Sequence, residues 1–90
     1  MKISISHSPN AIGHHISTEV DADSGEKIQF VETDFDGFPI GSDSLSPPEL
    51  QYSRTFSQVG SITPSFDHTV KVTATNNKGD TETASTRWTD

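Results

Sequence analysis

The chain contains no cysteine, so neither a disulfide framework nor thiolate chemistry is available to it. It carries one tryptophan, one tyrosine and one methionine, and its hydrophobic fraction is 29%. Globular chains reach about 45–50% on a scale that also counts glycine. No apolar run is long enough for a signal-peptide core or a membrane span, and the N-terminal MKISISHSPN has neither. This excludes membrane insertion by a helix. It leaves a chain that is not exported by that route, or a fragment of something longer, for which cell-surface, secreted or virion settings are favoured over the cytoplasm.

Basic residues are also scarce. Six Lys and Arg stand against thirteen Asp and Glu, for a net charge of -7. A phosphate-backbone partner needs clustered cations, so nucleic acid is excluded as a partner. The deficit is local: residues 19–43 hold Glu19, Asp21, Asp23, Glu26, Glu32, Asp34, Asp36 and Asp43 against Lys27 alone. The rest of the chain is balanced.

Ninety residues make one domain, spanning 1–90. Low apolar content pulls towards disorder, because little buried surface offsets little chain entropy. The apolar residues alternate, however, and this points to folded strands with polar outer faces. No internal repeat and no helix-length amphipathic stretch is present. Ile3 and Ile5 mark a first strand ended by Ser8-Pro9-Asn10; Ile16, Thr18, Val20 and Ala22 line one face of a second. Asp23-Ser24-Gly25-Glu26 is a turn. In Lys27–Phe35, Ile28 and Phe30 share one parity and Val31, Thr33 and Phe35 the other. A bulge, or a strand apolar on both faces, reconciles them.

Asp36-Gly37 is a strong hairpin signal. The following GFPIGSDSLSPPEL reads as a long loop with at most one short edge strand. Tyr52, Arg54 and Phe56 alternate in a further strand, followed by a loop around Gly60 and Pro64. Val70, Val72 and Ala74 face inward with threonines outside, and Ala84 and Trp88 share a face after the next turn. Segments 69–76 and 81–88 pair as the last hairpin of six or seven strands.

The run V-x-V-x-A-x-N-x-x-G, formed by Val70, Val72, Ala74, Asn76 and Gly79, resembles the penultimate strand and hairpin of bacterial immunoglobulin-like and PKD-type β-sandwich domains. His68 stands at their usual tyrosine and Asn76 at their usual aspartate. Phe56 followed by Gly60, and the acidic turn at Asp34 and Asp36-Gly37, are similar to the same family. The resemblance chiefly covers residues 52–88, and the central-strand tryptophan and inter-sheet cysteines of immunoglobulin domains are absent. It implies an immunoglobulin-like antiparallel β-sandwich of about seven strands. It also implies a non-catalytic interaction or spacer module of a bacterial or phage surface structure, with a protein or polysaccharide partner.

Candidate chemistry is sparse. Asp21, Asp23 and Glu26 surround one turn and could offer calcium oxygen ligands; no other cofactor is indicated, and a solvated acidic face carries more weight. His14 and His15 are adjacent, so in a strand they face opposite ways, and His7 and His68 match no zinc spacing. His68 is expected to pack at a strand end. There is no G-x-S-x-G elbow, and Asp34 with Asp36 forms an acidic turn rather than an evident carboxylate pair, so no enzyme is expected. Phe35, Phe38 and Tyr52 could form a carbohydrate platform, while Phe30, Phe56, Phe66 and Trp88 supply the core. Phe38, between Gly37 and Pro39, is the aromatic singled out for exposure. The expected ligand-binding region is the 34–43 loop with Asp34, Asp36 and Phe38. Alternatives are a calcium- or carbohydrate-binding accessory domain, or an inhibitor that inserts loops into an enzyme cleft.

Overall fold

A computed structural model describes residues 1–9 and 13–90. Asn10, assigned from sequence to the first turn, lies outside the described residues. Seven strands follow in order: β1 (Lys2–Pro9), β2 (His14–Asp21), β3 (Ile28–Phe35), β4 (Phe38–Glu49), β5 (Gln51–Val59), β6 (Asp67–Asn76) and β7 (Thr81–Thr89). They form two antiparallel sheets, ordered β1-β2-β5 and β4-β3-β6-β7. This is the all-β sandwich that the alternation predicts, and no helix occurs among the described residues.

The period-2 pattern explains the core. Ile16, Thr18 and Val20 of β2 face Val31, Thr33 and Phe35 of β3 and Val70, Val72 and Ala74 of β6, all buried. The parity conflict in β3 resolves as a bulge. Pairing to both neighbours slips between Ile28 and Phe30, so Ile28 and Val31 are both fully buried. The β6–β7 hairpin pairs Thr69 with Arg87 through Thr75 with Thr81, as the sequence indicates.

The 37–50 segment corrects the sequence reading. Phe38–Glu49 form a 12-residue edge strand, where the sequence suggests a long loop with at most one short edge strand. Phe30 pairs with Ser44 and Ile28 with Glu49, so residues 45–48 loop out opposite Gln29. Pro47 and Pro48 sit in that outward excursion, where no ladder hydrogen bond is required of them. Proline content there reports a bulged edge rather than an absent strand.

Phe66 is a second correction. The sequence places it in the core, yet it is 59% exposed. Its parity matches inward-facing His68, but β6 starts only at Asp67, and left-handed Ser65 (φ 66°) ends the extended run that would carry the alternation back.

Side-chain contacts close both open edges of the sandwich. On one side Asp43 of β4 accepts from Tyr52 Oη and Arg54 Nη1 of β5, joining the two sheets. Gly41 permits this approach, since a Cβ there would lie 2.8 Å from Arg54 Nη1 and from the Phe56 ring. On the other side the His7 ring of β1 stacks on Trp88 of β7.

Candidate functional site

Antiparallel pairing brings the start of β2, the β3–β4 turn, the loop 60–66, the start of β6 and the end of β7 to one end of the sandwich. Inward-facing β6 begins there with His68 and finishes at the opposite end with Asn76, both buried among apolar neighbours. Buried polar groups require partners. Each end accordingly carries its own network.

At the first end, His68 Nδ1 lies 2.7 Å from Asp36 Oδ2 and its Nε2 lies 2.9 Å from Asp90 Oδ2. Burial works to lower the His68 pKa, but the hydrogen bonds to these two carboxylates outweigh it and raise the ring above the ordinary histidine value. For Asp90, burial favours the neutral acid, and the Thr63 N–H with the two histidines reverses that, leaving its pKa lowered. His14, fully buried, points Nε2 to within 3.4 Å of the same Asp90 oxygen but makes no hydrogen bond through it. Its Nδ1 is 3.1 Å from His7 Nε2. Burial, then the neighbouring His14, lowers the pKa of His7.

Aromatic surfaces enclose this cluster. Phe35 stacks on His68 with ring centroids 5.2 Å apart, and Trp88 lies 5.2 Å from His14. The loop backbone crosses closely above: a Cβ on Gly60, already at φ +64°, would sit 2.8 Å from the Phe35 ring. Asp36 and Gly37 have φ of 50° and 84°, the two positive values a type I′ hairpin needs. That turn fixes Asp36, whose Oδ1 also accepts from the Thr69 N–H at 2.8 Å.

The residues assigned to ligand binding from sequence are not equivalent in space. Asp36 spends both oxygens on His68 and Thr69. Asp34 lies within β3 opposite Lys71, half exposed. Phe38 is 74% exposed, as singled out. The three-ring platform does not form: Phe35 is buried, and Tyr52 is half-buried with its hydroxyl on Asp43, where burial and then that bond raise its pKa. His14 and His15 do face opposite ways, His14 buried and His15 half exposed.

At the other end, Asp23 and Glu26 hold the α-ammonium of Met1, at 2.7 and 3.0 Å. Glu26 Oε2 accepts from Asn76 Nδ2 at 2.6 Å, while Asn76 Oδ1 accepts from the backbone of Lys78 and Asp80. Asp21 and Asp23 border an open groove with Glu49 and Leu50. Of the calcium candidates, two are thus engaged with an ammonium group.

Sequence reasoning missed the His7–His14–His68–Asp90 cluster. Its members come from four separate strand ends, and no short spacing joins them. The only available signal was His68 at an inward position where its relatives in pattern carry tyrosine.

No protein-family model matches the chain, and no curated protein matches it. Among solved structures it is similar to the fibronectin(III)-like modules of Clostridium thermocellum CbhA, with a TM-score of 0.56 and 22% identity over 96% of this chain and 92% of that one. At that identity the likeness concerns the fold, an immunoglobulin-like β-sandwich.

Proposed function

We propose that the domain is a non-catalytic interaction module that docks a protein partner through the end bearing the β3–β4 turn and the 60–66 loop. The observation that carries this is the placement of exposed apolar side chains. Of the four large ones among the described residues, Phe38 (74%), Ile62 (40%) and Phe66 (59%) lie at this end and Leu50 lies at the other. Exposed large apolar groups gathered at one end of a rigid scaffold mark interaction surfaces.

A protein partner suits this surface better than a polysaccharide. Sugar platforms need aligned rings, and Phe35 and Tyr52 are withdrawn from the surface. The non-catalytic reading is supported by the likeness in fold to a fibronectin(III)-like module. Membership of a bacterial or phage surface structure, and of the PKD-type family in particular, rests on the pattern in residues 52–88.

The test is peptide display against the immobilised domain, with each selected peptide re-measured on Phe38→Ala/Phe66→Ala and on Leu50→Ala. The double variant is expected to weaken binding tenfold or more, as loss of central aromatic anchors does, and L50A to leave it unchanged. Equal binding to both variants, or capture by insoluble polysaccharides in place of peptides, contradicts the reading.

A further inference from the structure

We propose that His14, His68 and Asp90 form a binding site for a divalent transition-metal ion of the zinc class, seated between the two sheets beneath the loop end. Their ligand atoms all lie within 4.8 Å of one another. Zinc takes nitrogen and carboxylate oxygen at about 2.0–2.2 Å, which sets tetrahedral donors about 3.3 Å apart. The Asp90 Oδ2 to His14 Nε2 distance of 3.4 Å meets this, and the 2.9 Å to His68 Nε2 needs to open by a few tenths.

Four observations support a cation rather than a bare hydrogen-bond network. First, His14 Nε2 is fully buried, aimed at Asp90, and has no hydrogen-bond partner. Such an orphan is costly, and a metal ion between His14 and Asp90 satisfies both. Second, each histidine has its other ring nitrogen held: His14 Nδ1 by His7 and His68 Nδ1 by Asp36. That is the outer-shell arrangement which orients metal-bound imidazoles. Third, Phe35 and Trp88 supply apolar walls and the Gly60 backbone a close cover. Fourth, two imidazoles and one carboxylate suit zinc, cobalt, nickel or copper, whereas calcium and magnesium want oxygen throughout.

On binding, the proton between His68 and Asp90 is released and Nε2 of each histidine offers its lone pair. Three protein donors leave a fourth position for water or an incoming donor. The ion ties β2 of one sheet to β6 and the end of β7 in the other, so binding adds directly to fold stability. The acidic turn at Asp21, Asp23 and Glu26 has no nitrogen donors and is not this site.

The experiment is equilibrium dialysis of chelator-stripped protein against Zn²⁺ or Co²⁺ at neutral pH, with metal analysis, visible spectra of the cobalt form and thermal melts. Wild type is expected to bind one ion per chain, to show d–d absorption of a low-coordinate Co²⁺ site, and to melt higher with Zn²⁺. His14→Gln and Asp90→Asn are expected to lose binding, and His15→Ala to retain it. Asp36→Asn keeps the turn residue tolerant of positive φ and is expected to weaken affinity about 10–100-fold. Should His14→Gln not fold, Asp90→Asn decides. No stoichiometric uptake by wild type, full affinity in Asp90→Asn, or loss of uptake in His15→Ala overturns the proposal.

Discussion

The imidazole of His7 lies flat against the indole of Trp88, ring centroids 3.6 Å apart and planes 16° from parallel. One ring belongs to an edge strand of one sheet and the other to an edge strand of the second, so the pair seals the β1–β7 side. His7→Ala removes the stack and leaves His14 Nδ1 without its partner. The expected cost is about 1–3 kcal/mol, combining an aromatic pair with an orphaned buried group. Because Trp88 is the sole tryptophan, its emission reports the change directly. A red shift with a lower urea midpoint is expected; unchanged emission and midpoint contradict the seal.

Asn76 donates to Glu26 and accepts from two backbone N–H groups, a combination aspartate cannot reproduce. Asn76→Asp sets a carboxylate against the Glu26 carboxylate while keeping the turn. A loss of about 1–3 kcal/mol is expected in urea unfolding near pH 7, shrinking in acid as the two carboxyls share a proton. Equal stability at pH 7 would show that the amide donor is dispensable.

The pKa of Glu26 is lowered to about 2 by the Asp23 backbone, then Asn76, then the Met1 ammonium. A depressed carboxylate adds stability that is complete above its unfolded value near 4.5 and disappears as pH falls towards 2. Stability is therefore expected to decline across that window, and the decline to be shallower in Glu26→Gln. Parallel acid limbs in the two proteins would assign the loss elsewhere.

Gly60 and Gly25 both have positive φ, at +64° and +85°, but only Gly60 meets a neighbour, the Phe35 ring at 2.8 Å. Gly25→Ala is expected to carry the left-handed strain alone, about 1–2 kcal/mol. Gly60→Ala adds a clash in the aromatic shell and is expected to cost about twice as much. Thermal melts of the two variants check the order, and equal midpoints contradict the close cover over the cluster.

Local patterns carried most of the fold. The Val70–Val72–Ala74 alternation, the Asp36-Gly37 turn and the parity change in Lys27–Phe35 are short-range signals, and each has its counterpart in β6, the I′ hairpin and the β3 bulge. Strand β4 escaped because Pro47 and Pro48 are strand breakers in a paired ladder but are tolerated where the edge loops out. The site was the least legible part. His7, His14, His68 and Asp90 are joined only by the strand order β1-β2 against β6-β7, and sheet order is a long-range property that alternation does not encode. Phe38 was legible because Gly37 and Pro39 flank it beside the Asp36-Gly37 turn, where β4 begins; Phe66 was not, because a chain with few large apolar residues is expected to spend its aromatics on the core.

The most direct measurement is a Zn²⁺ titration of the ¹⁵N-labelled chain followed by amide and histidine-ring NMR. The expected result is saturable shifts at one equivalent centred on His7, His14, Asp36, Gly60, His68, Trp88 and Asp90, with Asp23, Glu26 and Asn76 at the opposite end unmoved. Shifts centred on Asp21, Asp23 and Glu26, or no saturable shifts at all, would contradict a metal site at the histidine end.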